Sequence, residues 1–488
     1  MNIEQVDTLI VGAGLSGIGS AVHLRQGLPQ QSVLILEARE RLGGTWDLFR
    51  YPGIRSDSDM HTLGYSFKPW TGAKAIADGP SILRYVQETA QEFGVLPLIR
   101  FGHKVVSANW DSAAARWRVV VKRLADDTEF QVQCRFLLMC SGYYNYEHGY
   151  TPIFPGMDSF SGKVVHPQHW PQDLDYGDQQ VVVIGSGATA MTLVPEMAKR
   201  AAQVTLLQRT PTYVVARPSR DAIGDALRRV LPSKLAYALT RWKNVLTGLF
   251  YFTLARRNPA LAKARILEGA AQALPAGYPV NPHFTPTYKP WDQRICLVPD
   301  ADLFAAISGG RARMVTDTIE MIEPQGLRLH SGEFLRADVI VTATGLDLLG
   351  FGGMQIAVDG APLKVSDCLS YKGMMLNGVP NFAYVFGYTN ASWTLKSDLT
   401  GQYVVRLLRH MRRQGVESVM PQLKDATVQA EPWVDFSSGY FQRAIDRFPK
   451  QGSKKPWRLY QNYVRDLLAL RWSALEDGVL QFGKARPP

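Results

Sequence analysis

The chain has 488 residues, 46% of them hydrophobic and 20% charged, which excludes a disordered or low-complexity polymer and asks for two or three separate cores. A formal charge of +11 calls for anionic partners, whether nucleic acid, a membrane surface or bound phosphates, without choosing among them. The longest apolar run in a basic setting, residues 245–254 between Arg241, Lys243, Arg256 and Arg257, falls short of the roughly 20 residues that cross a bilayer, so at most it lies on a membrane.

The first residues pass from an acidic start through an apolar stretch straight into a glycine motif, unlike a basic-then-apolar export signal, so a cytoplasmic protein is expected. Residues 7–11 read as a strand, GAGLSG as a turn, residues 18–24 as a helix and residues 32–36 as a second strand, which is a βαβ unit. In that turn Gly12 permits the tight bend, Gly14 lets the backbone approach a pyrophosphate beside Ser16, and Gly17 allows close helix packing. Glu37 ends the second strand, where its carboxylate can accept both ribose hydroxyls. FAD is the expected ligand of this first unit, with Gly44, Thr45, Trp46, Asp47 and Val105 as further contacts.

The pattern returns at residues 180–184, GSGATA, residues 191–199 and residues 203–207. The fold class is therefore α/β, with two Rossmann-like dinucleotide-binding domains and a helical insertion. The expected boundaries are 1–145 with 345–488 for the FAD-binding domain, 150–216 with 280–344 for the NADP-binding domain, and 217–279 for the insertion. Residues 134–141 and 335–344 read as buried strands that close the two domains. The second loop offers Gly185, Ser186, Gly187, Ala188, Thr189 and Ala190. Its following strand ends not in an acid but in Gln208, Arg209 and Thr210. A carboxylate there would repel a 2′-phosphate and a guanidinium would hold it, so NADPH is expected.

Cys134, Cys140, Cys296 and Cys368 have neither metal-like nor CxxC spacing, so they read as structural thiols and no metal site is expected. With no cysteine before Cys134, a disulfide reductase carrying a redox pair after the first nucleotide motif is excluded. The segment at residues 43–57, GGTWDLFRYPGIRSD, instead places Trp46, Arg55 and Asp57 beside the first nucleotide fold. Just before the second loop, FSGKVVHPQHWP sets Phe160, Gly162, His166, Trp170 and Pro171 at the spacing FxGxxxHxxxWP.

In these two segments the chain resembles the class B flavoprotein monooxygenases and, within them, the Baeyer–Villiger monooxygenases. Further stretches extend the likeness over nearly the whole length: CSGYYNY, PWDQRICLVPDADLF, YKGMML and GYTNASWTLK. The resemblance implies an enzyme with FAD and NADPH that inserts one atom of dioxygen into a ketone and oxidises sulfides or thioamides as a side activity. By motif position it makes Arg294 and Asp57 the catalytic pair over the flavin, His166 a hinge, and Asn390 and Trp393 substrate-pocket candidates. A fixed cation suits the chemistry, because a guanidinium stays charged at any workable pH and can stabilise oxygen anions. Gln293 stands where many ketone-oxidising members have lysine, which leaves the 2′-phosphate to Arg209, and Ser56 replaces a frequent cysteine. Two rivals stay open: nitrogen or sulfur oxygenation without carbon insertion, and a non-enzymatic nucleic-acid- or membrane-binding role. No nucleic-acid motif is visible, so no nucleic-acid partner is expected. Peripheral membrane association through the basic insertion remains a candidate.

Overall fold

The computed structural model describes residues 3–434 and 436–484; Met1, Asn2, Asp435 and residues 485–488, and with them both outer ends of the expected first domain, lie outside the described residues. The chain opens with strand β1 (Glu4–Val11), helix α1 (Leu15–Gly27) and strand β2 (Val33–Leu36). β1 and β2 pair in parallel from Thr8↔Val33 to Val11↔Leu36. Helix α2 (Gly79–Glu92) and strand β3 (Ile99–Arg100) follow, then an antiparallel meander of β4 (His103–Asp111), β5 (Arg116–Arg123) and β6 (Thr128–Met139). The meander continues the sheet because β6 also lies parallel to β1. Apolar residues alternate across this sheet: Ile10, Ile35 and Leu138 join one core, while Leu9, Leu36 and Leu137 join another. A sheet buried on both faces needs such near-continuous apolar strands.

The second sheet is wholly parallel. It comprises β7 (Lys163–Val165), β8 (Gln180–Ile184), β9 (Gln203–Gln208), β12 (Ala312–Thr316) and β13 (Val339–Thr342). Their order is β12-β9-β8-β13-β7. Helix α3 (Ala188–Met197) leads from β8 to β9. Val181 and Val183 face one core and Val182 and Ile184 the other, the period of two that a strand imposes. The expected single strand over 335–344 is two. Phe334–Arg336 ends an antiparallel hairpin sheet and Val339–Thr342 is β13. Asp338 separates them because its carboxylate accepts from the N–H of Gln180, and its own N–H donates to the Gln180 carbonyl, at the start of β8.

Between β9 and β12 lie β10 (Val214–Arg217), helices α4 (Ala222–Val230), α5 (Ser233–Arg257) and α6 (Pro259–Ala273), strand β11 (Cys296–Pro299) and helix α7 (Asp302–Ser308). Asp221 caps α4 by accepting from Gly224 N–H, and Asn258 with Pro259 stops α5 and starts α6. The buried Arg241 of α5 pins the insertion to the first domain, its Nη1 donating to the carbonyls of His61 and Gly64 at 2.9 and 2.7 Å. After β14 (Gln355–Val358) and β15 (Phe382–Tyr384), helix α8 (Trp393–Gln414) packs on α1, and helix α9 (Tyr463–Arg471) packs on α8. Gly27 and Gly401 allow the α1–α8 approach, since an added Cβ would lie 2.3 Å from Val405 and 2.9 Å from His23.

Candidate active site

The two connections between the sheets run side by side. Residues 144–149 and 346–348 pair antiparallel, with Tyr144↔Leu348 and Gly149↔Leu346 in register. His166 sits on this link. Its Nε2 donates to the Gly345 carbonyl at 3.2 Å, and its Nδ1 accepts from Gln168 N–H at 3.2 Å. Burial lowers its pKa, so the neutral ring with hydrogen on Nε2 satisfies both contacts. Gly162 lies against the Asp338 carbonyl, Phe160 and Trp170 pack on the second sheet's cores, and Pro171 is exposed.

A cavity of about 610 Å³ starts at the carboxyl ends of β1 and β2 and runs to the second sheet. Gly12, Gly14, Ser16, Glu37, Gly44, Thr45, Trp46 and Val105 line it, as do Ala188 and Thr189 at the start of α3. Gly12 has φ +103°, and a Cβ there would lie 2.6 Å from the Cys140 carbonyl oxygen. Gly17 lies beneath the loop, with its Cβ position 1.9 Å from the Gly12 oxygen, so its role is packing. The buried Glu37 accepts from Ala13 N–H at 2.7 Å and Arg39 N–H at 2.9 Å, while burial raises its pKa. These donors hold the carboxylate at the cavity wall, and its remaining lone pairs suit two hydroxyls.

Asp47, expected among the cofactor contacts, does not line this cavity. Its buried carboxylate is instead gathered by Arg39 at 2.6 Å, Arg50 at 2.8 Å and Arg41 at 3.3 Å, because a buried charge needs compensating cations. Of the second loop's remaining residues, Gly185, Ser186, Gly187, Ala190, Arg209 and Thr210 lie outside this cavity. Gly185 has φ +134°, Gly187 leaves open space where a Cβ would sit, and Arg209 and Thr210 are exposed at the end of β9.

A second cavity of about 860 Å³ lies between the insertion, β10 and the loop before α8. Asp57, Arg294 and Ser392 line both cavities. Arg294 Nη1 is 2.9 Å from Asp57 Oδ2, with the side chains 38% and 33% exposed, so the pair faces open space from both sides. Asp57 is the leading cause that holds the Arg294 guanidinium well above its ordinary pKa; Tyr440, Tyr143 and Tyr144 reinforce it. The pair joins the loop after β2 to the loop before β11, so it exists only when both domains meet. Arg55 and Asp302 form a second ion pair across the same boundary.

Asn390 lines the second cavity and donates to the Gln461 carbonyl at 2.9 Å. Trp393, expected beside it, belongs to the first cavity alone, because its Nε1 donates to Ser16 Oγ at 2.7 Å and draws the ring against the first glycine loop. Sequence reasoning assigned no role to Tyr51, Tyr143, Tyr144 and Tyr146, which line the first cavity. Burial pushes Tyr51 and Tyr146 up to about 12, which keeps both phenols neutral. The position of Tyr143, Tyr144 and Tyr146 directly after β6, at the carboxyl end of the sheet, is the signal that marks them, while Tyr51 belongs to the loop after β2 that also carries Asp57. All four cysteines are buried and unpaired, and burial pushes the Cys140 and Cys296 thiols up to about 12.

Fold and cavities together define an α/β protein with two dinucleotide-binding sheets, and known proteins carry the same signature. A family described as NAD(P)-binding Rossmann-like domain matches residues 10–74, and one described as Flavin-binding monooxygenase-like matches residues 76–246. The chain is 51% identical to the FAD-containing monooxygenase EthA of Mycobacterium tuberculosis, over 99% of each chain. It belongs to the family of flavin-binding monooxygenases. The probable FAD-binding monooxygenase AlmA of Acinetobacter baylyi is 46% identical, over 99% of this chain and 97% of that one. A solved structure of oxidized steroid monooxygenase bound to NADP shares the fold, with a TM-score of 0.77 at 22% identity over 98% of this chain and 100% of that one.

Proposed function

We propose that the chain is a Baeyer–Villiger monooxygenase that uses FAD in the first cavity and NADPH at the second glycine loop. It converts a ketone to an ester or lactone. One atom of dioxygen enters the product, the other leaves as water, and NADPH supplies the electron pair. The observation that carries this reading is the Arg294–Asp57 pair, shared between the dinucleotide cavity and an apolar second cavity.

A reduced flavin, when bound, activates dioxygen for transfer of one oxygen atom. The residues of the chain fit that group: the positive φ of Gly12 opens the loop, Glu37 stands ready for ribose hydroxyls, and the cavity ends at a fixed cation. Arg294 stabilises negative charge on the oxygen being transferred and on the ketone oxygen as it gains charge, without giving up a proton. Asp57 orients the guanidinium through one nitrogen and leaves the others for oxygen. The apolar residues of the second cavity exclude water from the reacting ketone. Arg209 supplies the charge for a 2′-phosphate.

The test mixes the flavin-loaded protein with NADPH, isotope-labelled dioxygen and a matched ketone and thioether. An ester or lactone carrying one labelled atom is expected. Sulfoxide alone would replace this reading with heteroatom oxygenation, and unchanged substrates with peroxide released in step with NADPH use would overturn both.

A further inference from the structure

Helix α5 carries an apolar face that stands largely open to solvent, with Trp242 partly covered by the ring of Tyr463, centroids 5.8 Å apart. Leu235, Leu239, Trp242, Leu246 and Phe250 all project within about 80° of the helix circumference at 100° per residue. They are 48%, 44%, 40%, 53% and 62% exposed. The opposite side of the helix, with Tyr237, Arg241 and Asn244, is the buried one. On the preceding helix Val230 extends the apolar surface and is 76% exposed. A soluble monomer seldom leaves a row of large apolar side chains of this kind in water.

The charge around the row selects its partner. Residues 222–273 hold nine Lys and Arg against only Asp225 and Glu268, and α5 itself has no acidic residue. Several of these cations are internally neutralised, such as Lys243 by Asp221 and Arg228 by Asp225. Arg229 and Lys234 at one end of the row and Arg257 at the other are exposed and make no ion pair among the described residues. An apolar stripe rimmed by basic residues is the pattern of a helix lying in a membrane interface, with anionic headgroups meeting the cations. A second copy of the chain would instead set like charge against like charge. No described helix is long and apolar enough to cross a membrane, so the contact is with the surface.

The second cavity is continuous with this hairpin. Leu249, Phe252 and Ala255 of α5 and Ile266 of α6 line its wall, while Tyr251 and Leu261 line it and also reach solvent, which places an apolar mouth between the two helices. Gly248 and Gly269 leave open space where side chains would stand, and so widen it. We infer that the exposed face of α5 docks on an anionic lipid surface and that the second cavity receives an apolar substrate from that surface. The docking stands on the helix alone; the word substrate rests on the monooxygenase reading.

Flavin-loaded protein is floated with vesicles of phosphatidylglycerol and phosphatidylcholine in equal parts, or of phosphatidylcholine alone, without NADPH. Binding to the anionic vesicles is expected to exceed binding to the neutral ones by more than about tenfold and to weaken with salt. Leu246→Glu with Phe250→Glu should remove most of that binding, and Arg229→Ser with Lys234→Ser, which leaves the apolar row intact, should lower it. Both variants should keep the flavin content and the turnover of a water-soluble ketone, while turnover of a long-chain ketone carried in anionic vesicles falls. Equal binding to both vesicle types, or full binding by the variants, overturns the inference. So does a wild-type dimer that the Leu246 and Phe250 substitutions split and that ignores vesicles. Loss of turnover on the soluble ketone in the wild type would sink the monooxygenase reading and leave the docking measurement standing.

Discussion

Gly12 and Gly185 occupy equivalent bends, yet substitutions at them should fail differently. A Cβ on Gly185 would lie 2.2 Å from the Ala343 carbonyl oxygen, at a φ of +134° that a side chain rarely tolerates, and the strain falls entirely within the second sheet. Gly185→Ala should therefore retain flavin but lose its reduction by NADPH, which anaerobic stopped-flow absorbance reads directly. Arg209 is exposed and acts by charge alone, so Arg209→Ala should raise KM for NADPH about tenfold and leave KM for NADH nearly unchanged. Arg294→Ala should leave flavin reduction intact while lowering oxygenation by about 10²–10³, the usual cost of losing one preorganised donor. Oxygenation that survived this change would remove Arg294 from the chemistry.

At the scale of elements, the insertion braces the loop that carries Arg294. Phe252 of α5 packs edge-on against Trp291 with ring centres 5.4 Å apart, and Trp291 itself has φ +71°. Arg256 reaches Asp292 at 2.7 Å, and Lys263 of α6 donates to the Pro286 carbonyl. Phe252→Ala removes an aromatic contact of about 0.5–1.5 kcal/mol. It should lower kcat several-fold with flavin content unchanged, because the loop loses a brace rather than its fold. Arg241 is a different kind of support: its guanidinium is buried, lies 3.5 Å from the buried Asp398 and satisfies backbone carbonyls of the first domain. Arg241→Met should destabilise the protein by about 3–5 kcal/mol in denaturant unfolding, since a buried carboxylate and several carbonyls lose their partner. A cost below about 1 kcal/mol would mean that His23, 3.0 Å from Asp398, suffices.

For the whole molecule, the link between the two sheets makes stability depend on pH. His166 has its pKa lowered from the ordinary 6.5 by burial, and its Nδ1 must stay unprotonated to accept from Gln168. The unfolded chain binds that proton more readily. Stability is therefore full above about pH 6.5 and declines as the pH falls from there towards the folded pKa. His61 and His283, also lowered by burial, act in the same direction. The melting temperature should drop between about pH 7 and 5.5, and His166→Gln should make that drop shallower. An unchanged slope would assign the effect to the other histidines.

The chain pattern alone was enough for the α/β class, both glycine turns and the helical insertion, because those signals are local: a strand, a bend that only glycine tolerates, and a helix within a few dozen residues. It also marked Arg294 and Asp57 as candidates. It missed the antiparallel meander of β4 and β5, the split at Asp338, the arginine cluster that takes Asp47 and the bond that draws Trp393 to Ser16. Each of those depends on partners far apart along the chain. The ion pair between Asp57 and Arg294 spans 237 positions, and the apolar second cavity is assembled from β10, the insertion and the loop before α8. Sequence periodicity reports which side of a strand or helix is apolar; only folding decides what that side meets, because the meeting is set by the packing of whole domains across a shared link.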